Sequence, residues 1–261
     1  NSRSSATVVG LCRTGAAYDG AVPSPSETSD VRPAAASTLP RYWWVGFVAY
    51  ALASALHVTA LAIGADELAA PTKIALMPML FLAVALATRK PRGAAIALLL
   101  AAITASWLGD SAGFFFPSLP TLPLMIGFFA IAHLIYIWLF MKHLAIRRFP
   151  RWSLVYAVWW VVLVFVLWPH LGGLAIAVAL YGLVLGGTAA ASTRAGRIVT
   201  RGGALFLTSD TLLAFLLFTP ELTPPLTDPA VMLTYTLGQG LIAAGAVLAI
   251  STQRRAETRT A

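Results

Sequence analysis

The stretch Trp168-Pro169-His170-Leu171-Gly172-Gly173 is the only interruption in a long apolar run from about residue 152 to 189. Proline and glycine together favour a turn, and two membrane spans fit the combined length better than one. Outward from that break the chain repeats one pattern, apolar runs separated by short polar connections. Eight runs come near the ~20 residues needed to cross a bilayer. They cover roughly 42–63, 72–88, 94–116, 121–141, 152–168, 171–189, 200–219 and 230–250. The expected fold is all-α, a polytopic membrane protein with eight transmembrane helices.

Composition agrees. Hydrophobic residues make up 59% and charged residues 11% of the chain, with a mean hydropathy of +0.80. A soluble domain carries roughly 25% charged residues, so this chain must bury apolar surface against lipid as well as against itself. The net charge of +8 does not point to nucleic acid. The basic residues fall in small clusters between apolar runs, with no basic stripe and interleaved aromatics. The single cysteine, Cys12, permits no disulfide within the chain, and no Cys/His metal spacing exists. Residues 1–40, rich in Ser, Ala, Thr and Pro, read as a disordered tail without the apolar region of a signal peptide. Residues 41–251 form the transmembrane domain, and 252–261 a basic C-terminal tail.

Charge gives the orientation. The connections after spans 2, 4 and 6 hold ten basic residues: Arg89, Lys90 and Arg92; Lys142, Arg147, Arg148 and Arg151; Arg194, Arg197 and Arg201. Those after spans 1, 3, 5 and 7 hold none, and carry Asp66, Glu67, Glu221 and Asp228 instead. By the positive-inside rule both termini are cytoplasmic, which requires an even number of spans. The expected location is the plasma membrane. Lys73, at the outer start of span 2, departs from the pattern. It is either a snorkelling lysine or a cation at the mouth of a cavity, suited to a lipid phosphate.

Asp110 and Asp210 are the only acidic residues inside the apolar runs; the other eight of ten lie in tails or connections. A carboxylate at bilayer depth costs at least ~2–3 kcal/mol and usually marks a functional cavity. At ~1.5 Å per residue, Asp110 and His57 lie ~9 Å from an outer helix end, Asp210 and Gln239 ~13 Å, and His133 ~18 Å. Five polar groups from five helices thus share a middle-to-outer layer, as a buried polar site requires. Each also has a structural alternative. Asp110 lies beside Ser106 and the small-residue pattern Gly109-x-x-x-Gly113. Asp210 has Thr208 and Ser209 as neighbours, and His57 reads as an interior hydrogen-bonded histidine. Phe129, His133, Tyr136 and Phe140 share one helix face, either as core or as an aromatic wall with polar tips. Tyr235 and Gln239 form an i, i+4 pair flanked by Gly238 and Gly240. Gly182-x-x-x-Gly186 reads as packing.

Taken in order, these residues resemble the YhhN family of integral membrane lysoplasmalogenases. The matching segments are Thr72-Lys73-Ile74-Ala75-Leu76-Met77-Pro78-Met79-Leu80, Gly109-Asp110, Gly127-Phe128-Phe129 leading to His133 and Tyr136, Gly203-Ala204-Leu205-Phe206 leading to Ser209-Asp210, and Tyr235 with Gly238-Gln239. The resemblance implies hydrolysis of the vinyl-ether bond of a lysoplasmalogen to a fatty aldehyde and a glycerophospho-base. The family's two essential acidic positions match Asp110 and Asp210.

The residue types suit that chemistry. A carboxylic acid protonates the alkene carbon, and an ionised carboxylate stabilises the resulting oxocarbenium ion and deprotonates water, much as two carboxyls divide the work in glycosidases. No metal or other cofactor is required. Lys73 is expected at the phosphate, with His133, Tyr136, Tyr235, Gln239 and His57 lining the substrate site. The expected partners are a lysophospholipid substrate and membrane lipids. Two rival readings stand beside this one. The first is a metal-dependent lipid hydrolase with His57, His133, Asp110 and Asp210 around zinc. The second is a transporter of a small solute or lipid, although no internal repeat is evident.

Overall fold

A computed structural model describes residues 39–88 and 93–260, the last seven of these as backbone only. The tail 1–38 and the basic connection with Arg89, Lys90 and Arg92 lie outside the described residues. Every regular element among the described residues is helical. Helix α1 (Val45–Ala62) ends in a tight turn where Gly64 takes φ +69°. Helix α2 (Asp66–Thr88) follows at once, with Asp66 and Glu67 in its first turn, where the helix dipole favours acidic side chains. Then come α3 (Ala94–Asp110), α4 (Thr121–Trp138, continued by a π turn, Leu139–His143), α5 (Val155–Leu167), α6 (Ala175–Ser192), α7 (Arg197–Phe218) and α8 (Thr227–Thr260).

Seven of these helices, taken with the turns that extend them, are long and apolar enough to cross a membrane; α3, with 17 residues, is a shorter apolar helix. The break at Trp168–Gly173 is in place. Trp168–His170 and Gly172–Leu174 form separate 3-10 turns, and Gly172 sits at φ +50°, a conformation that costs glycine least.

Two expected boundaries are corrected. The third run, read as continuous over 94–116, stops being a helix at Asp110. Ser111 leaves helical geometry (φ −105°, ψ 13°), and its carbonyl accepts the N–H groups of Phe114 and Phe115, starting a separate turn, Ala112–Phe115. Hydropathy reads through this break because both sides of it are apolar. Helix α2 starts at Asp66 rather than 72, so Lys73 stands about two turns inside it. Pro71 looks like a boundary in the sequence, yet the helix runs through it.

A second proline in α2 leaves a gap that another helix fills. Pro78 has no N–H to offer the carbonyl of Ile74, four residues earlier. The indole N–H of Trp107, on α3, donates to that oxygen at 3.0 Å. Lys73 precedes Ile74, and Asp110 lies three residues beyond Trp107, so this bond fixes α2 against α3 beside both.

Helix α8 is the most enclosed, lying against α1, α2, α3 and α7. Its tightest approach is to α7. A Cβ on Gly202 would lie 2.8 Å from the carbonyl oxygen of Gly238, and one on Gly238 would lie 2.9 Å from the nitrogen of Phe206. Backbone meets backbone there, as small residues allow between membrane helices. Gly182 and Gly186 pack against Trp160 and Trp159 of α5. Outward faces are apolar: Phe165 is 82% exposed, and Leu52, Leu134, Ile176 and Leu180 also face outward. A surface this apolar suits contact with lipid. At one end of the bundle two arginines stitch neighbouring connections together. Arg147 Nε donates to the Thr193 carbonyl at 2.5 Å, and Arg194 Nε donates to the Arg147 carbonyl at 2.9 Å.

Candidate active site

Helices α3 and α8 meet in a ladder of two polar rungs. Gln239 Nε2 donates to Ser106 Oγ at 3.0 Å, and one turn away Tyr235 Oη donates to Asp110 Oδ2 at 2.6 Å. Ser106 and Asp110 are four residues apart on α3, and Tyr235 and Gln239 four apart on α8, so the rungs align only if the helices run antiparallel in this register. Tyr136 of α4 joins the deeper rung, donating to Gln239 Oε1 at 2.6 Å. Asp110 is the last residue of α3, where the helix dipole disfavours negative charge. The Tyr235 hydroxyl, donating to the carboxylate there, offsets part of that placement.

Asp210 is held from the other side. Tyr181 of α6 donates to Asp210 Oδ2, and its hydroxyl also lies 3.4 Å from His133 Nε2. His133 Nε2 stands 3.8 Å from Asp210 Oδ2, the only contact of this kind between a basic and an acidic side chain among the described residues. The His133 backbone carbonyl accepts from Thr188 of α6 at 3.3 Å, while its Nδ1 is buried without a protein partner. Ser209, next to Asp210, donates to the Val231 carbonyl of α8 at 3.0 Å, which pins α7 against α8.

An aromatic wall joins the two carboxylates. Phe206 lies 4.7 Å from His133 and 5.3 Å from Tyr235, and Phe129 lies 6.0 Å from Tyr235 and 6.2 Å from Phe206, measured between ring centroids. The edge-on geometry of the Phe129, Phe206 and Tyr235 rings is a favoured one. Phe129 lies flat against Gly109, where an added Cβ would come within 2.8 Å of its ring. The glycine before Asp110 is therefore a space requirement. On the Asp210 side a small cavity of about 50 Å³ opens, lined by Phe129, Tyr181, Met125, Leu213 and Leu217 among others, with Asp210 as its charged group.

The structure thus brings together Asp110, Asp210, His133, Tyr136, Tyr235 and Gln239. Lys73 is half-buried on α2, next to Ile74, whose carbonyl accepts from Trp107 of α3. His57 touches none of the others. It is buried between α1 and α2, with Nδ1 2.9 Å from Thr72 Oγ1. Of the four residues of the zinc reading, His57 lies apart, and no group of three or more His, Cys, Asp or Glu among the described residues is arranged to hold a metal. Two further residues complete the site. Tyr181 stands on α6 with no motif in the sequence to single it out, and Phe206 lies one turn before Asp210 on the same face of α7.

The fold and site define an all-helical membrane protein with two carboxylates held on one interior aromatic wall. The chain belongs to the YhhN family, whose profile matches residues 68–246. Searches of curated proteins and of solved structures gave no match.

Proposed function

We propose that this protein is a lysoplasmalogenase-type hydrolase of the cell membrane, cleaving the vinyl ether of a lysoplasmalogen with Asp110 and Asp210 as its acid–base pair. Membership of the YhhN family supports a function of this type. The observation that carries the reading is the pairing of the carboxylates. Each is held by its own tyrosine on a shared aromatic wall, and one of them faces an apolar cavity.

In the proposed reaction one carboxylic acid gives its proton to the alkene carbon farther from the ether oxygen, leaving an oxocarbenium ion at the carbon bonded to oxygen. Water adds to that carbon and loses a proton to the second carboxylate. The hemiacetal then collapses: its hydroxyl gives its proton to the first carboxylate, its C–O bond to glycerol breaks, the glycerol oxygen takes the proton held by the second carboxyl, and a fatty aldehyde leaves. One water is consumed and no electrons change hands. Two carboxyls divide the same work around a cation of this kind in most glycosidases. The surrounding residues suggest the substrate's direction. Lys73, beside Asp110, suits the phosphate, and the apolar cavity at Asp210, walled by Phe129, suits the start of the alkenyl chain.

The test is mass spectrometry of the products when purified protein is given a lysoplasmalogen and, separately, its ester analogue. Fatty aldehyde from the vinyl ether, with no fatty acid from the ester, is the expected result. Release of fatty acid alone would overturn the proposal in favour of an esterase.

A further inference from the structure

Helices α1 and α2 touch at Gly46, where an added Cβ would lie 2.7 Å from the Cα of Ala83. A surface cleft of about 490 Å³ lies along this contact and reaches the start of α1 and the end of α2. Gly46 and Ala49 form its floor, and Leu82 and Leu86, both outward-facing, form a wall. Pro40, Arg41 and Tyr42 close its end. The Arg41 guanidinium lies 5.6 Å from the centroid of the Tyr42 ring, a cation–π contact that holds the charge at the rim. No carboxylate among the described residues pairs with Arg41. Between residues 41 and 109 the only acids are Asp66 and Glu67, at the opposite ends of both helices.

A second groove of similar size makes the contrast. Between α1 and α8 lies a space of about 510 Å³, lined by residues such as Phe47, Ala55, Val58 and Leu237, with no charged side chain in its lining. It offers a lipid chain a seat but gives no preference for a head group. The α1–α2 cleft has a seat and a cation together, the combination that lets basic pockets between membrane helices select anionic lipids. Its volume falls within the ~300–1,000 Å³ of ligand pockets.

We infer that the α1–α2 cleft is a binding site for an anionic phospholipid, separate from the catalytic site, with one acyl chain on Gly46, Ala49, Leu82 and Leu86 and the phosphate on Arg41. The occupant is a lipid rather than free phosphate, because the cleft is mostly apolar and only its rim is charged.

The full chain, purified in detergent, is incubated with vesicles of equal parts phosphatidylglycerol and phosphatidylcholine, and retained lipid is read by native mass spectrometry. The wild type is expected to retain phosphatidylglycerol preferentially. Arg41→Gln, at an exposed position, is expected to lower the ratio of phosphatidylglycerol to phosphatidylcholine about fivefold, the effect of one juxtamembrane cation. Ala49→Trp, also exposed, fills the cleft and is expected to remove that preferential retention, while Ala55→Trp in the uncharged groove leaves it unchanged. If either Arg41→Gln or Ala49→Trp behaves like the wild type, the proposal is overturned. Displacement of the retained lipid by excess inorganic phosphate would overturn it as well, because the site would then be a phosphate site. None of these readouts involves turnover, so they stand or fall independently of the proposed hydrolase activity.

Discussion

Trp107 and Pro78 should behave as a single unit. Replacing Trp107 by Phe keeps an aromatic ring near Phe115, whose centroid lies 5.0 Å away in an edge-on arrangement, but removes the N–H that reaches the Ile74 carbonyl. That carbonyl has lost its helical partner because residue 78 is proline. Leaving a buried acceptor unpaired costs about 1–3 kcal/mol in proteins generally. Hydrogen bonds between membrane helices measure lower, about 0.6 kcal/mol on average with a maximum near 1.7. The expected loss is therefore about 1 kcal/mol, plus a packing loss from the smaller ring. Pro78→Ala separates the two. With a backbone N–H restored at residue 78, the Ile74 carbonyl regains its helical partner, and Trp107→Phe in that background should lose only the packing share. The measurement is a double-mutant cycle on unfolding in mixed detergent micelles, which isolates the pair term. A coupling near 1 kcal/mol is expected, with Trp107→Phe the more harmful when Pro78 is present. Equal effects of Trp107→Phe in both backgrounds would refute the account of this helix pair.

Other expectations concern the site. Asp110→Asn and Asp210→Asn should each leave folded protein and lower turnover of a lysoplasmalogen by on the order of 10²–10⁴-fold, the range for general acid–base groups; a folded variant keeping more than about a tenth of the rate would lie far outside that range and exclude its residue from the chemistry. Lys73→Ala should raise KM for the phosphate-bearing substrate with kcat little changed, as for a contact made equally in the ground and transition states, whereas a normal KM with collapsed kcat would move Lys73 into the chemical step. Tyr181→Phe keeps the ring and removes the hydroxyl that bonds Asp210; turnover should fall on the order of ten- to a hundredfold, the worth of a hydrogen bond to a charged group, and wild-type kinetics would show the hydroxyl to be dispensable. Single cysteines at Glu67 and Ser118, in a Cys12→Ser background, should react with a membrane-impermeant maleimide in intact cells, and labelling only after permeabilisation would reverse the orientation drawn from the basic connections.

The helical, membrane-spanning character was legible because hydropathy is a sum over ~20 residues and tolerates local irregularity. The turn at Trp168–Gly173 was legible because proline and glycine constrain the backbone wherever they stand. The end of α3 was not. Ser111 breaks the helix between two equally apolar segments, and a window average has no contrast there. Depth counting identified the layer holding Asp110, Asp210, His133 and Gln239. It placed His57 in the same layer, where His57 turns instead to Thr72, because depth along a helix says nothing about which neighbour a buried face meets. Tyr181 shows the converse. One tyrosine on an otherwise apolar helix is ordinary, and only the packing of α6 beside α7 makes its hydroxyl a partner of Asp210.

Helix α4 explains why the site and the fold depend on each other. Three of its residues, spaced by three or four, each meet a different neighbour: Phe129 lies on Gly109 of α3, His133 on Tyr181 and Asp210 of α6 and α7, and Tyr136 on Gln239 of α8. A shift of α4 by one residue along its axis moves each contact atom by ~1.5 Å and rotates it by about 100°, far outside the range in which a hydrogen bond survives. Such a slip would break the Tyr136–Gln239 bond, drive Phe129 off the glycine that makes room for it and take His133 from Asp210 in one motion. Because lipid gives little driving force for one helix packing over another, these few polar and close-packed contacts carry much of the specificity for a single arrangement. The residues proposed for the chemistry are thus the ones that fix the register of the bundle. A substitution at Gln239 or Tyr136, which touch neither carboxylate, should therefore be felt at both Asp110 and Asp210 through the position of α4.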